Sequence, residues 1–431
     1  MFRFFNARYA LVGASLYFVA ATTNALAEPK SLSLATATSN TLQNHPHFRQ
    51  HEWQVKARQA QAVSAGLSPE LRIQAQAENI LGSGSTSGLN QGQTTVAISS
   101  VLEMGDKLSA RTNEAQAAVI LTESEHYVDA LKIVGRLTRQ YIKTLAQQQR
   151  LALASERVGL AQDALKLVSE RVNRSATPPA ERYRAKAAVY QAKLDEAAAA
   201  AQLKIEKHTL TLFWRSAAST PEFSLEGTLN SPGVKQNFSQ IYNQFLSSAH
   251  NEHLEKAIEL EQARVALAKS ADTPDVSWQV GVRRLQNMQD TALVASVSVP
   301  LFSQQRNRGA VAAAKAAEQV TYYAQTIRRR EVKQILFQAF ETQKLNHQRA
   351  EDLHKYILPN LSKALAETRT GYQQGIYNYQ DWLSALQAEL EAKATYINYA
   401  ESALLNQALI EQWTGNAMHT PHAPHQQSSS L

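Results

Sequence analysis

Three histidines spaced three apart and one aspartate among aromatics are where this sequence's side chains could do chemistry. They are His419, His422 and His425 in HTPHAPH, and Asp381 in GYQQGIYNYQDW. Neutral imidazoles bind zinc or copper. Two further histidine sets have helical spacing: His47 and His51 in HPHFRQH, and His250 and His253 in HNEH. None comes with an evident set of further ligands. The best metal candidate, His419/His422/His425, sits in a Pro-, Ser- and Gln-rich tail over 416–431, a composition expected to be disordered. Cysteine is absent, which excludes thiolate zinc sites and a disulfide framework. There is no G-x-S-x-G, no H-E-x-x-H, no P-loop and no dinucleotide glycine pattern. The expectation is a protein that is not an enzyme and has no cofactor. Without an energy-coupling motif, any active transport must be powered by another protein.

The aspartate sits in ETRTGYQQGIYNYQDWLSALQ (367–387), flanked by long helical sequence. Gly371 and Gly375 lie four apart, with Tyr372, Tyr377, Tyr379 and Trp382 around them. Glycine lets a helix end and turn back, so this is read as a hairpin tip. In ERVNRSATPPAERYRAKA (170–187), Asn173 and Ser175 stand where glycines might, and Pro178-Pro179 starts a return helix. Taken alone, Asp381 reads as an acid at a helix N-terminus, favoured by the helix dipole.

Residues 1–27 form a signal peptide. Arg3 and Arg8 supply charge, 10–21 an apolar stretch, and 25–27 an ALA cleavage site. Losing those two arginines lowers the net charge from +7 to about +5. RRR at 328–330 reads as a solvated helix face, and no basic cluster interleaves with stacking aromatics, so nucleic acid is not an expected partner. Hydrophobic residues make up 44% of the chain, but much of that is Ala and aromatics are only 7%, which suits thin helical packing with small residues.

Heptads set that packing. Leu151, Val158, Leu165 and Val172 are seven apart, with Ala154, Ala161 and Val168 in the second seam position; Leu383, Leu390, Ile397 and Leu404 form another series. Long helices are expected over 106–172 and 306–369, each ~100 Å at ~1.5 Å per residue. Before each lies a pair of alternating segments, the β-hairpins 71–104 and 275–302. Val276, Trp278, Val280 and Val282 alternate with Ser277, Gln279, Gly281 and Arg283, as expected of membrane strands with one face toward a wet lumen. Two surface hairpins would show the same alternation.

The order then reads as two structural repeats. The first (28–220) has a helix at about 32–66, hairpin 71–104, long helix 106–172 and return helix 179–215. The second (221–415) has a helix at about 237–271, hairpin 275–302, long helix 306–369 and return helix 378–414. Four strands cannot close a barrel, and open edges are not tolerated in lipid. If these are membrane strands, three copies supplying twelve strands would close one. The fold class is α+β: long coiled-coil hairpins plus four strands in two structural repeats, which, if the strands are membrane strands, makes a membrane protein with a four-stranded share of a trimeric 12-stranded β-barrel.

These features resemble the TolC-type outer-membrane factors, and within them the outer-membrane components of heavy-metal (cobalt–zinc–cadmium type) RND efflux systems. The likeness spans nearly all of 32–415. It is carried by AGLSPELRIQAQAENILGSG (65–84), AISSVLEMGDKLSAR (97–111), PDVSWQVGVRRL (274–285) and DTALVASVSVPLFSQQRNRGAVAAA (290–314). It implies a homotrimeric exit duct in the Gram-negative outer membrane, its barrel in lipid and its helical tunnel in the periplasm. The implied partners are a periplasmic adaptor (membrane fusion) protein and an inner-membrane RND transporter, and the implied cargo is heavy-metal cations. It also places Tyr372 at a gating tyrosine and Asp381 at an aperture carboxylate. Where the family has a gating arginine and a second ring acid, this sequence has Tyr377 and Ser384. The tyrosines are expected to pack between neighbouring tips. Two other readings stand beside this one: a similar duct for multidrug efflux or type I protein secretion, and a periplasmic or surface coiled-coil interaction protein without a barrel.

Overall fold

The stretch 107–173 contains no proline and two glycines, and nothing in it interrupts the i to i−4 hydrogen-bond ladder. A computed structural model describes residues 31–215, 222–230, 233 and 236–415 of the chain. The expected signal peptide (1–27) and the tail with His419, His422 and His425 lie outside the described residues.

The elements run β1 (Ser31–Leu32), α1 (Leu34–Asn44), α2 (Pro46–Ala65), β2 (Arg72–Glu78), β3 (Gln93–Leu102), α3 (Lys107–Asn173), α4 (Pro179–Thr211), β4 (Ser224–Leu225), α5 (Phe238–Leu246), α6 (Ala249–Ser270), β5 (Val276–Leu285), β6 (Asp290–Ser298), α7 (Ser303–Asp352), α8 (Leu358–Gln374) and α9 (Tyr379–Thr414). The 67 residues of α3 span about 100 Å.

Three helices expected to be continuous are interrupted. The helix at about 32–66 breaks at His45-Pro46: Pro46 has no N–H and restarts the chain at the first turn of α2, while His45 Nδ1 accepts the His47 N–H at 3.2 Å. The helix at about 237–271 breaks at Ser247-Ser248, where the Ser248 hydroxyl donates to Phe245 O at 2.8 Å. The helix expected over 306–369 begins at Ser303, ends at Gln374 and widens into one π turn at Leu353–Ile357. Pro359 follows that turn; its ring crowds the preceding carbonyls and it offers no N–H, and the wider turn relieves both.

The strands form one antiparallel sheet in the order β2-β3-β5-β6. The β3–β5 pairing joins the two hairpins, and β2 and β6 are its two edges. The register makes the faces unlike. Ile73, Ile98, Val280 and Ala295 form one row, and Ala75, Val96, Val282 and Leu293 the next on the same side. The opposite side carries the row Arg72, Ser99, Gln279 and Ser296, and Arg283 donates there to Thr95 Oγ1 at 3.0 Å. The apolar rows are open: Ile73 is 80% and Leu293 77% exposed.

Along α3, Val158, Ala161 and Val168 are buried on the expected seam, packing toward Val189, Ala192 and Ala185 of α4. Small residues there let the two helices approach closely. A second core gathers where β1 pairs in parallel with β4, a two-residue sheet with no period in the sequence to announce it. Tyr141 of α3 is fully buried there, its Oη 2.8 Å from Leu32 O and 2.7 Å from Glu226 O. No helix among the described residues is long and apolar enough to cross a membrane.

Candidate functional site at the helical tips

Both long helices end in the same kind of turn. At the first tip, the Ala176 N–H donates to Arg171 O at 2.9 Å and the Ser175 N–H to Val172 O at 3.0 Å. At the second, the Ile376 N–H donates to Gly371 O at 2.8 Å and the Gly375 N–H to Tyr372 O at 3.2 Å. This paired pattern closes a helix on a left-handed residue: Ser175 at φ +57° in one tip, Gly375 at φ +84° in the other. The return helices start at matched places. Pro178 precedes α4 with Pro179 at its first turn, and Asn378 precedes α9.

Asn378 and Asp381 form a capping box. The Asp381 N–H donates to Asn378 Oδ1 at 2.9 Å, and the Asn378 N–H to Asp381 Oδ2 at 3.1 Å. Asp381 is exposed, so its carboxylate fixes the start of α9 and still faces outward. Gly371 is needed for space: a Cβ there would collide with the Tyr377 ring, which lies over it half-exposed.

Tyr372 joins the two tips. It is buried with Tyr379 and Trp382, at centroid distances of 5.3 Å to Trp382 and 6.2 Å to Tyr379. Its hydroxyl donates to Glu181 Oε2 of α4 at 3.2 Å. Burial, together with the Glu181 charge and hydrogen bond, pushes the phenol up to about 12, so it stays a donor. Arg171, from the end of α3, crosses to the second tip. Its guanidinium lies 4.7 Å from the Tyr372 ring centroid. It also donates to Tyr372 O, to Gln373 O at 3.1 Å and to Ala176 O at 3.4 Å. Those first two carbonyls are among the last of α8, where Tyr372 O also accepts the Gly375 N–H, so Arg171 adds a cap to a helix that is not its own.

The structure thus brings Tyr372, Gly371 and Tyr377 together, places Pro178-Pro179 beside them through Glu181, and holds Asp381 one turn into α9. Arg171, Glu181 and Trp382 complete the cluster. Sequence reasoning assigned them no role, since nothing local marks a contact between residues 201 apart, as Arg171 and Tyr372 are. Among the described residues, no three His, Asp or Glu side chains already surround one point as metal ligands would.

The outer membrane efflux protein family matches the chain over residues 37–214. The cobalt-zinc-cadmium resistance protein CzcC of Cupriavidus metallidurans is 25% identical over 312 residues, 70% of this chain and 72% of that protein. Among solved structures, CusC, reported for transmembrane channel formation, superposes with a TM-score of 0.76 at 17% identity, covering 89% of this chain and 92% of that one. The outer membrane protein VceC of Vibrio cholerae gives 0.70 at 17% identity, over 88% and 96%. The open-state MtrE outer membrane channel of Neisseria gonorrhoeae gives 0.71 at 15% identity, over 89% of each. The structural likenesses show a shared fold.

Proposed function

On the match of residues 37–214 to the outer membrane efflux protein family, we propose that the chain is a member of it and the outer-membrane exit duct of a tripartite RND-type efflux system. The observation that carries this is the sheet: an exposed apolar face, a polar face and two free edges, set at one end of ~100 Å helices. A water-soluble protein would not leave such a face open, and lipid would not tolerate such edges. Three copies, edge to edge, would form a 12-stranded barrel, apolar side to the lipid and polar side to the lumen. The helices then form a periplasmic tunnel whose tips meet an adaptor and a proton-driven inner-membrane transporter. The chain itself conducts passively and catalyses nothing.

The two matched tips support a reading of the chain as two structural copies, 28–220 and 221–415. Their turns coincide at an offset of 200 residues, from Ser175 to Gly375. On that offset Glu181 corresponds to Asp381, so one carboxylate holds Tyr372 and the other is free to face the pore. In this account Tyr372 is the gate, Arg171 and Glu181 hold it shut, and three Asp381 side chains ring the aperture and attract cations. Heavy-metal cations are the proposed cargo, on the likeness to CzcC.

Complementation tests the cargo. In a strain lacking its own duct, the chain restores growth on zinc, cobalt or cadmium; restored resistance to dyes and detergents alone would assign it to multidrug efflux instead. The pore role of Asp381 is tested by Asp381→Asn, whose amide oxygen can still accept the Asn378 N–H. Cation preference in bilayer recordings falls while folding is kept; an unchanged preference would leave Asp381 as a helix cap only.

A further inference from the structure

Where α2 packs on α3, four side chains meet that the duct does not use. His47 and His51 are four apart on α2, and His126 and Asp129 are three apart on α3, so each pair shares one helix face. The His51 and His126 rings lie 4.6 Å apart and the His47 and His51 rings 6.3 Å apart, centroid to centroid. His47 Nε2 stands 3.7 Å from Asp129 Oδ2.

Two nitrogens in this cluster are anomalous. His51 is only 1% exposed, and its Nδ1 lies 2.8 Å from Gln54 Oε1. An amide oxygen only accepts, so the proton sits on Nδ1 and the lone pair on Nε2. That Nε2 is buried with no partner, and so is His47 Nδ1. A buried polar atom without a partner is costly and calls for an explanation. The Gln54 contact is the arrangement found behind metal-bound histidines, where an outer acceptor fixes the tautomer and aims the other nitrogen at the ion. Asp129 supplies the negative charge; Lys132 Nζ occupies its Oδ1 at 2.8 Å and leaves Oδ2 for another partner.

We propose that His47, His51, His126 and Asp129 bind one divalent transition-metal cation of the zinc class. Three imidazoles and one carboxylate suit a four-coordinate borderline-soft ion. The four are gathered as two pairs and not yet around one point, so binding turns the half-buried rings of His47 and His126 inward. The ion pins α2 to α3 and stabilises the fold by mass action. This site depends neither on the cargo nor on the gate.

Cobalt(II) is the probe, titrated into the purified full-length protein with His419, His422 and His425 replaced by alanine so that the tail cannot report. The expected result is one equivalent per chain, with the visible ligand-field bands of a four-coordinate ion and a raised melting temperature. Asp129→Asn and His126→Ala weaken binding at least about 10-fold, and Gln54→Leu by a similar factor. Asp129→Asn is the control against misfolding, because it alters a partly exposed side chain and keeps its shape; circular dichroism confirms the helices. No saturable binding, or wild-type affinity retained in Asp129→Asn and His126→Ala, would overturn the proposal.

Discussion

Tyr372 gives its hydroxyl to Glu181 and its ring to Trp382 and Arg171, so three elements converge on one side chain. A hydrogen bond to a charged partner contributes about 1.5–3 kcal/mol. Tyr372→Phe should therefore loosen the tip by about 2 kcal/mol while keeping the stack, and raise the open fraction in bilayer recordings. Arg171→Ala removes both the ring contact and the donor to the ends of α8, a loss of about 1–2 kcal/mol. Arg171→Lys recovers only part of it, since an ammonium lacks the planar fork. Equal open fractions in wild type and Arg171→Ala would remove Arg171 from the gate. Elsewhere, His250 is buried against Trp413 with its Nε2 3.0 Å from Gln412 O. Burial lowers its pKa to about 4, with Lys132 and Arg328 adding to the shift and the Gln412 bond opposing it. Its contribution to stability is whole above the unfolded pKa near 6.5 and is lost as pH falls toward 4, on the order of 3 kcal/mol. His250→Gln should flatten that part of a melting-temperature profile; an unchanged slope would contradict the assignment. Tyr372 and Asp381 stand out in the sequence because local text and a family resemblance mark them, and their roles at a gate remain proposals. Arg171 and Glu181 were not, because their partner lies in the other half of the chain.

At the level of elements, the tips depend on two local devices. Gly375 holds φ +84°, where a side chain is strained, so Gly375→Ala should cost about 1–2 kcal/mol. Asn378→Ala removes the capping box and should cost about 1 kcal/mol. Both are read as a lower melting temperature of the purified protein, and no change in either would mean the turn is held from outside. The long helices and strands were readable because their periods repeat over many residues. The breaks at His45-Pro46 and Ser247-Ser248 were missed because the apolar pattern runs through them. The Pro46 signal was present, but proline also fits the first turn of a helix, and that is where it stands. The β1–β4 pair, two residues in each strand, is too short to leave any period.

For the whole molecule, the sheet is the feature that favours the proposed duct over a soluble coiled coil. Its register aligns Ile73, Ile98, Val280 and Ala295 across all four strands, an apolar band that water does not favour. A chain that remained a soluble coiled coil would have to cover this band and both edges in another way. The most direct measurement is single-channel recording of the purified protein in a planar lipid bilayer. The account predicts discrete steps of one size, carried by trimers, with a cation preference that Asp381→Asn lowers and an open fraction that Tyr372→Phe raises. A folded chain that stays monomeric and leaves the bilayer without conductance would contradict it.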